Sequence, residues 1–347
     1  MKKQNILALA LKPAIRVTES VSIGIVLMLT AAVIAMITPS AASASSPCQG
    51  PTATQLVIGL EGAMGSTIGP DGALYVPEGA AGRISRVDPQ TGEKTTFASG
   101  LPPSIPAIGI GGAIDVAFID NIAYVLVTLV NDPLFPSNDV DGIYRVDGPD
   151  SFTVVADIGT FNLANPPTIQ FPYFIATGLQ YAIQTYRGGF LVADSHLNRV
   201  LRVTLDGAVS VLIDFDNIVP TGLDVRGNTV YMAEAGADPH LPQDGKVVSF
   251  GPRSPTATEV ASGSPFLLDV EFGGGSLYAL SHGTFDPITD GAVPYTGALV
   301  KVNGDGTFTD IMDGLNQPTS LEFIGNTAYF VTLTGEIWKI DGVWCRP

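Results

Sequence analysis

Polar side chains recur at one place in a repeated pattern along this 347-residue chain, and most of them are acidic. Each is flanked by apolar residues, as in the segment Gly222-Leu223-Asp224-Val225. The six members, one for each repeat, are Ser66, Asp115, Gln180, Asp224, Asp269 and Glu322. If the repeats close into a ring, four carboxylates converge on its axis. Crowded carboxylates raise one another's pKa unless a cation or hydrogen-bond donors intervene.

This acidic position has two interpretations. A hard cation such as Ca²⁺, or another divalent ion, takes oxygen ligands of this kind, so the acids would form a channel site. Alternatively, the acids are structural: each accepts backbone N–H hydrogen bonds, or pairs with a basic residue that recurs in a neighbouring strand. Those basic residues are Arg86, Arg145, Arg202, Lys301 and Lys339.

A second group of candidates consists of histidines and acids at the ends of later strands. The chain has three histidines, and all follow a strand that carries the repeated motif described below. Equivalent connections lie on one face of a ring, which predicts a shared rim made of Glu78, Asp194, His196, Glu234, His240 and His282. Neutral imidazole and carboxylate suit Zn²⁺ or a similar ion. The spacing is not that of a zinc motif, however, and solvated loop residues are the alternative.

Two longer insertions are also candidates. Residues 131–142 end in a segment that matches part of a calcium loop, but the complete spacing with a glutamate at the twelfth position is absent. Residues 161–174 contain three prolines and several aromatic residues, and they would either overhang a face as a binding lip or pack on the outer ring. Asn303-Gly304-Asp305-Gly306 is explained as a turn.

The elements that position these residues form a repeat of about fifty residues. One aromatic motif occurs six times, and its first and last tyrosines are Tyr75 and Tyr329. Its copies begin at Leu74, Ala123, Gly189, Val230, Leu277 and Ala328. A period in this range with strand-like alternation is typical of propeller blades. Each repeat divides into four strands, A to D, separated by Gly-, Pro- and Asp-rich turns. We therefore predict an all-β, six-bladed β-propeller with four-stranded blades.

The ends of the chain predict how the ring closes. The last repeat lacks strand D, whereas an isolated strand D at about residues 54–60 precedes the first repeat. This N-terminal strand is expected to complete blade six, so that no strand edge is left unpaired there. Cys48 and Cys345 flank the same place, and in an exported protein they would form a disulfide. Two free thiols at frayed termini are the alternative.

The first blade resembles a known family. Gly69-Pro70-Asp71-Gly72-Ala73-Leu74-Tyr75-Val76-Pro77-Glu78-Gly79, followed by Gly82-Arg83-Ile84, is similar to the ScyD/ScyE family of exported NHL-like β-propellers. The resemblance covers roughly residues 53–342 and is strongest in the first and last blades. It implies an exported six-bladed propeller. The resemblance implies no catalytic residues. Pro77 stands where the family usually has alanine in the pattern Tyr-Val-Ala-Glu, and Glu78 matches the pattern.

The N-terminal segment has the features of an export signal. Lys2, Lys3, Lys12 and Arg16 precede an apolar run over 21–38, and Ala42-Ser43-Ala44 predicts cleavage after residue 44. Residues 1–44 are thus a predicted signal peptide, and 45–347 a single propeller domain in the periplasm or outside the cell. Because 18 apolar residues could just span a bilayer, an uncleaved membrane anchor is the alternative. No other run is long enough to cross a membrane.

Composition and motifs narrow the functional classes. The full chain has a net charge of −16, which becomes −19 without residues 1–44, so nothing favours binding to nucleic acid or an anionic membrane. The sequence contains no serine-hydrolase elbow, P-loop, dinucleotide fingerprint or HExxH motif. We therefore favour a monomeric binding or scaffold protein for a small molecule, glycan or protein partner. The alternative is a metal-assisted lyase or lactone-hydrolase-like enzyme with its site at the channel or rim.

Overall fold

Six four-stranded antiparallel sheets form the protein. The computed structural model describes residues 50–106, 109–168, 175–237, 239–251, 256–289 and 291–344. Five sheets contain strands that are consecutive in the sequence, apart from a two-stranded hairpin inserted in the fifth. The sixth sheet joins the two ends of the chain. The predicted six-bladed β-propeller with four-stranded blades is therefore confirmed.

Strands A to D run from the axis of the ring to its outer edge in each blade. The first described strand is β1 (Thr52–Val57). Blade one contains β2 (Thr67–Ile68), β3 (Leu74–Glu78), β4 (Arg83–Val87) and β5 (Lys94–Ser99). Blade two contains β6 (Gly112–Ile119), β7 (Ile122–Thr128), β8 (Gly142–Gly148) and β9 (Ser151–Asp157), and the helix α1 (Ile158–Ala164) follows it. Blade three contains β10 (Gln180–Tyr186), β11 (Gly189–Asp194), β12 (Arg199–Thr204) and β13 (Val209–Asp214).

The remaining blades follow the same order. Blade four contains β14 (Pro220–Arg226), β15 (Thr229–Glu234), β16 (Lys246–Phe250) and β17 (Thr258–Ser262). Blade five contains β18 (Leu267–Gly273), β19 (Ser276–Ser281), β22 (Gly297–Val302) and β23 (Phe308–Leu315). The hairpin of β20 (Phe285–Asp286) and β21 (Gly291–Ala292) lies in its B–C connection. Blade six contains β24 (Pro318–Ile324), β25 (Thr327–Thr332), β26 (Ile337–Asp341) and β1.

Closure of the ring by the N-terminal strand is confirmed. Strand β1 pairs antiparallel with β26, with Thr52 opposite Asp341 and Val57 opposite Ile337. It begins slightly earlier than predicted and ends at Val57, so 58–60 lie beyond it. Gln55 adds a side-chain hydrogen bond of 2.9 Å from Nε2 to Glu336 Oε1. Cys48 and Cys345 lie outside the described residues, as does segment 1–44, so the disulfide and the export signal remain predictions.

The repeated aromatic motif holds neighbouring blades together. Three strand-B tyrosines meet a phenylalanine from strand A of the next blade: Tyr75 with Phe118, Tyr231 with Phe272, and Tyr278 with Phe323. The ring centroids lie 4.8, 5.1 and 4.9 Å apart, within the range of favourable aromatic pairs. The motif that reveals the repeat in the sequence thus belongs to the apolar contacts between blades.

The described part of the insertion at 161–174 is mostly exposed and contacts blade three through one buried side chain. Helix α1 begins after Asp157, whose Oδ1 accepts a hydrogen bond of 2.7 Å from the Thr160 backbone N–H. Asn162 is fully buried and donates to Asp194 in blade three at 2.9 Å. Residues 169–174 are outside the described ranges. In the part of the chain that the structure describes, no helix has the length and apolar character needed to cross a membrane.

Candidate functional site

Three predicted channel acids connect neighbouring blades. In Asp115, Asp224 and Asp269, one carboxylate oxygen accepts the N–H of the following residue, and the other accepts an N–H from strand A of the next blade. The hydrogen bonds between blades join the carboxylates of Asp115, Asp224 and Asp269 to the backbone N–H groups of Ile183, Phe272 and Leu321, with N···O distances of 2.9, 2.9 and 2.7 Å in that order. These three aspartates therefore have the structural role, with backbone N–H groups as their donors.

The basic residues of strand C do not reach these acids. Those with an ion pair in the described residues bind nearer carboxylates: Arg86 with Asp71, Arg145 with Asp147, and Lys339 with Asp341. The N···O distances are 2.6, 2.6 and 3.4 Å. This part of the prediction is wrong, because the side chains of strand C lie two strands away from the axis.

The six predicted polar residues also do not share one position in the strands. Asp115 and Asp269 lie opposite Leu126 and Leu280, whereas Asp224 and Glu322 lie opposite the motif tyrosines Tyr231 and Tyr329. Gln180 lies opposite Asp194 at the start of its strand. The pairing between strands A and B is irregular near the start of each of these strands A, as in a β-bulge. Residues that match in the sequence repeat therefore need not face the same residue of strand B.

Glu271 is a channel acid that the sequence analysis missed. It lies opposite Tyr278, in the same register as Glu322 opposite Tyr329 in the adjacent blade. The signal was its place two residues after Asp269, since side chains two apart in a strand point to the same face. A central cavity of about 220 Å³ is lined by Asp115, Asp269, Glu271 and Glu322, and by no lysine, arginine or histidine among the described residues. Gln180 and Asp224 are not among its described lining residues.

Tyr181 lines this cavity and reaches across the ring. Its hydroxyl donates a hydrogen bond of 2.7 Å to the Thr319 backbone carbonyl, which joins blade three to blade six across the ring. Both residues stand next to the first residue of their strand A, whereas Glu271 lies near the A–B turn. The acidic cavity therefore lies on the A–B-turn side of Tyr181, and the predicted histidine rim lies on the other side.

The cavity environment favours the protonated form of its carboxyl groups. Burial raises the pKa of Asp269 to about 7, against the N–H hydrogen bonds from Leu321 and Val270. Burial, together with the other acids, raises the pKa of Glu271 and of Glu322 well above the ordinary value. Neither Glu271 nor Glu322 has a side-chain hydrogen bond or ion pair with any described residue. Their carboxyl groups are the ones in the cavity without a protein donor.

The predicted rim acids belong to a recurring acid–base pair between strands B and C. Glu78 lies opposite Arg83, Asp194 opposite Arg199, and Glu234 opposite Lys246. The signal in the sequence was an acid at the last position of strand B followed by a base at the first position of strand C.

Glu78 is the most completely bonded of these acids. It is fully buried and accepts hydrogen bonds from Arg83 Nη2 at 2.5 Å, from Ser85 Oγ and from the Glu61 N–H at 2.8 Å. Burial alone would raise the pKa of Glu78, but these hydrogen bonds, with that of Arg83 the largest, lower it below the ordinary value. Glu78 therefore fixes the turn between strands B and C.

Asp194 is similarly engaged in blade three. It binds Arg199 Nε at 3.2 Å, Gln180 Nε2 at 3.1 Å and Asn162 Nδ2 at 2.9 Å. Burial raises the pKa of Asp194 to about 6, against the charge of Arg199. Gln180, predicted as a channel residue, is thus part of this buried network.

Glu234 differs from the other two pairs. Burial raises its pKa to about 7, while the charge of Lys246 acts in the opposite direction. Lys246 Nζ forms its ion pair with Glu259, at 3.0 Å. Glu234 therefore lacks the close ion pair that Glu78 and Asp194 have in the equivalent positions.

Two of the three histidines meet, but around an aromatic ring. His240 stacks on Phe266 with ring centroids 4.4 Å apart, and Phe266 contacts His282 edge-on at 5.1 Å. His282 is buried, and its Nδ1 donates to the Pro318 carbonyl at 2.9 Å. Burial lowers the pKa of His282 to about 4, so the ring is neutral near pH 7. His196 is partly exposed in the β11–β12 connection of blade three.

The rim residues do not form a ligand set for a metal ion. Within the described ranges, no three His, Cys, Asp or Glu side chains are arranged so that they could hold a metal ion together. The same holds for the described part of the channel. A cation in the channel would thus bind two carboxylates at most, and its other ligands would be hydroxyl, carbonyl or water oxygens.

A larger cleft lies near the place where the ring closes. Its volume is about 610 Å³, and its lining includes Trp344, Tyr278, Lys301 and Asp310. The indole of Trp344 lies against the backbone of Gly274, where a Cβ would approach the ring to 2.1 Å. None of the site residues predicted from the sequence lines this cleft, because its wall comes from blade five, from Pro51 before β1, and from the segment after β26.

Comparison with known proteins bears on the fold. No protein-family model matches the chain, and no curated protein matches it. Among solved structures, the PQQ-bound aldose sugar dehydrogenase of Streptomyces coelicolor has a TM-score of 0.56 at 15% identity, over 85% of this chain and 99% of that one. A gluconolactonase of Xanthomonas campestris has a TM-score of 0.57 at 12% identity, over 86% of this chain and 92% of that one. Virginiamycin B lyase of Staphylococcus aureus has a TM-score of 0.51 at 13% identity, over 84% of this chain and 98% of that one. At these identities, the similarity is one of fold.

Proposed function

We propose that this protein is an exported binding protein whose central cavity takes a small, positively charged ligand. The observation that carries the proposal is the pair of glutamates, Glu271 and Glu322, in a cavity lined by four carboxylates and no described basic residue. The resemblance to the exported ScyD/ScyE propellers supports the general role of a non-catalytic propeller.

Electrostatics identify the class of ligand. Placing a carboxylate in a poorly hydrated site costs several kcal/mol unless a donor or a counter-charge is present. The buried aspartates have N–H donors, whereas Glu271 and Glu322 have none among the described residues. A cation supplies the missing charge, and its binding displaces the protons that the raised pKa of both groups holds in place near neutral pH.

The size of the cavity limits the ligand. About 220 Å³ is less than the ~300–1,000 Å³ of pockets for drug-sized molecules. This volume suits a metal ion such as Ca²⁺ with its waters, or a small organic ammonium. A pyrroloquinoline quinone does not fit the cavity, because its own carboxylates would face Asp115, Asp269, Glu271 and Glu322. We expect access from the A–B-turn side, because the hydrogen bond from Tyr181 to Thr319 crosses the ring on the other side.

Calorimetry tests this proposal and separates the two sources of positive charge. The protein is titrated at pH 7.5 with CaCl₂, MgCl₂ and tetramethylammonium chloride. We expect binding of either a divalent ion or the ammonium, weakened at least about tenfold in Glu271→Gln and Glu322→Gln. The control Glu93→Gln changes an exposed glutamate of blade one and should bind like the wild type. The absence of heat and of any thermal shift with all three salts would reject the proposal.

A hydrolase or lyase is the second candidate, and the same two glutamates favour it. A carboxyl group whose pKa is raised by burial can donate a proton near neutral pH, which suits general acid catalysis. The structural neighbours include a lyase and a gluconolactonase by name. The test is the hydrolysis of gluconolactone with enzyme in micromolar amounts. Turnover that Glu322→Gln abolishes would favour this candidate over the first.

Export and the disulfide are part of the proposal. Mass spectrometry of the unreduced protein from its native host is expected to show cleavage after residue 44 and a mass two hydrogens below that of the dithiol. An intact N-terminus in the membrane fraction would support the anchor instead. We expect the mature protein to be a monomer, which size-exclusion chromatography with light scattering measures.

A further inference from the structure

The connection between β7 and β8 in blade two encloses a small acidic cavity. It lies on the face that carries the strand-B ends, and thus on the opposite side of Tyr181 from the central cavity. Its volume is about 170 Å³. The polar side chains of its wall are Asn131, Asn138, Asp139, Asp141, Asp157, Thr160 and Thr177. No lysine, arginine or histidine lines it among the described residues.

Asp141 is the buried acid of this cavity. It is only 2% exposed, and its Oδ1 accepts the Val130 N–H at 2.7 Å. Its backbone carbonyl accepts the N–H groups of Ile158 and Gly159, both at 2.9 Å. Its second carboxylate oxygen, Oδ2, is buried and has no hydrogen-bond partner among the described residues. Because a buried polar atom is nearly always bonded, this oxygen is the unexplained group of the site.

A glycine leaves room beside this oxygen. Gly159 faces the Asp141 side chain, and a Cβ there would lie 3.1 Å from Asp141 Cβ and 3.5 Å from Oδ2. Any larger residue at 159 would therefore crowd the carboxylate. The neighbouring segment, from the end of β9 into α1, closes over Asp141 without filling the space in front of it.

The charges around Asp141 are all negative. Asp139 and Asp157 share the cavity wall, and Asp132 is buried close by. Burial raises the pKa of Asp141 to about 6 and Asp132 acts in the same direction, whereas the Val130 N–H, the Thr177 hydroxyl and the Asn131 N–H lower it. None of these donors makes a hydrogen bond to Oδ2. The side chains of Asn138 and Asp139 make no hydrogen bond with any described residue. An ionised Asp141 therefore has oxygen-rich surroundings and lacks a counter-charge.

We propose that this cavity binds a hard divalent cation, Ca²⁺, with Asp141 Oδ2 as its buried ligand. Ca²⁺ takes six to eight oxygen ligands, including carboxylates, Asn side chains, backbone carbonyls and waters. Asn138 and Asp139 supply further side-chain oxygens from the same insertion. Since no three acidic side chains among the described residues could hold a metal together, amide, carbonyl and water oxygens complete the coordination. The ion ties the β7–β8 insertion to the start of α1.

The test uses the full chain, stripped with EDTA, in a Glu322→Gln background that weakens the central cavity. Titration with CaCl₂ at pH 7.5 is expected to give one site, with a Kd near the ~10⁻⁴–10⁻³ M of extracellular calcium modules. Asp141→Asn should weaken binding at least about tenfold. Asp147→Asn is the matched control, because Asp147 belongs to the same blade but pairs with Arg145 outside the cavity.

Asp139→Asn covers the case in which Asp141→Asn does not fold, since Asp139 is exposed and its loss leaves the buried contacts unchanged. It should weaken binding severalfold. Tb³⁺ luminescence, sensitised by Tyr144 next to the cavity, gives a second readout that both variants should reduce. The proposal is overturned if the Glu322→Gln protein binds no Ca²⁺, or if it binds Ca²⁺ with an affinity that neither substitution changes. If the wild type binds Ca²⁺ at both cavities, Glu322→Gln alone and Asp141→Asn alone should each remove a different site. This comparison distinguishes the site at Asp141 from the central one.

Discussion

The Tyr181 hydroxyl donates to the Thr319 carbonyl across the axis of the propeller, at 2.7 Å. One side chain from blade three thus spans the channel to blade six. Burial, and then the negative charges of Asp269 and Asp115, raise the pKa of Tyr181 well above its ordinary value. The phenol therefore remains a donor above the ordinary tyrosine pKa of 10.0. This bridge crosses the central opening between blades three and six.

Tyr181→Phe tests the bridge. The substitution removes the hydroxyl and leaves the Thr319 carbonyl without this donor, so we expect the free energy of unfolding to fall by about 1 kcal/mol. Urea-induced unfolding followed by circular dichroism measures this change. Tyr295→Phe is the control, because Tyr295 is 70% exposed and should lose less than ~0.5 kcal/mol. Equal losses in both variants would contradict the role of the bridge.

Glu78→Gln is expected to be strongly destabilising. The fully buried Glu78 holds Arg83 at 2.5 Å, and removing one partner of a buried pair costs about 3 kcal/mol. Glu61→Gln is a matched control, because Glu61 binds the same guanidinium at 2.9 Å but is exposed. Its loss should cost at most ~1 kcal/mol. Chemical denaturation at pH 7 compares the two variants, and similar losses would show that burial does not distinguish the pairs.

The sign of the Glu78 contribution with pH follows from its lowered pKa. The unfolded chain binds the proton more readily than the folded protein does. The stabilisation is therefore complete above the ordinary value of 4.5 and is lost as the pH falls through the folded-state pKa. Below that pH, Glu78→Gln and the wild type should differ less than they do at pH 7.

Asp269 should act in the opposite direction. Its pKa is about 7 in the folded protein against 3.8 ordinarily, so the folded state holds a proton that the unfolded chain releases. Stability from this group falls as the pH rises from about 4 to about 7, with a slope of at most ~1.4 kcal/mol per pH unit. In Asp269→Asn the total slope should decrease by this amount, because the amide does not titrate, while the other acids with a raised pKa keep their contributions. Urea unfolding between pH 4.5 and 7.5 measures it.

Asp150→Asn is the control for this pH dependence, because Asp150 lies exposed in a turn of blade two. It should keep the slope of the wild type. If Asp269→Asn also kept that slope, the raised pKa of Asp269 would be wrong. The amide introduced by Asp269→Asn keeps one acceptor oxygen, so the comparison rests on the slope with pH and not on the loss of stability at one pH.

Gly274→Ala tests the contact between the Gly274 backbone and the indole of Trp344. Gly274 has φ of +55°, and a Cβ there would lie 2.1 Å from the indole ring. We expect the indole to move, which shifts its fluorescence, and a loss of about 1–3 kcal/mol. The neighbouring Gly275→Ala has φ of +82° but meets no atom within 4 Å, so it measures the backbone strain alone. An unchanged fluorescence in Gly274→Ala would contradict the contact.

The fold was predictable because its signal repeats. Six copies of an aromatic strand with turns at fixed places specify the blades, and an unmatched strand D before the first copy specifies the closure by β1. The predicted channel acids Asp115, Asp269 and Glu322 do line the central cavity. This much follows from alternation along a strand.

The rest of the site depends on information that the sequence pattern does not contain. Irregular register in strand A places Glu271, and not Asp269, opposite the motif tyrosine beside Glu322. The position of Tyr181 across the axis depends on the width of the closed ring. His240 and His282 both follow a strand B, but both rings contact the ring of Phe266, whose backbone has φ of +41°. Side-chain direction in such irregular turns is set by tertiary packing.

The pairing of β1 with β26 also bears on the order in which the blades fold. Blades one to five consist of strands that are neighbours in the sequence, so each can form from a short stretch of chain. Blade six needs contacts such as Gln55 with Glu336, which are 281 positions apart. Bringing such distant segments together costs loop entropy and slows folding. Without that pairing, blades one to five would form an open arc with two unpaired ends, the kind of exposed surface that favours aggregation and proteolysis.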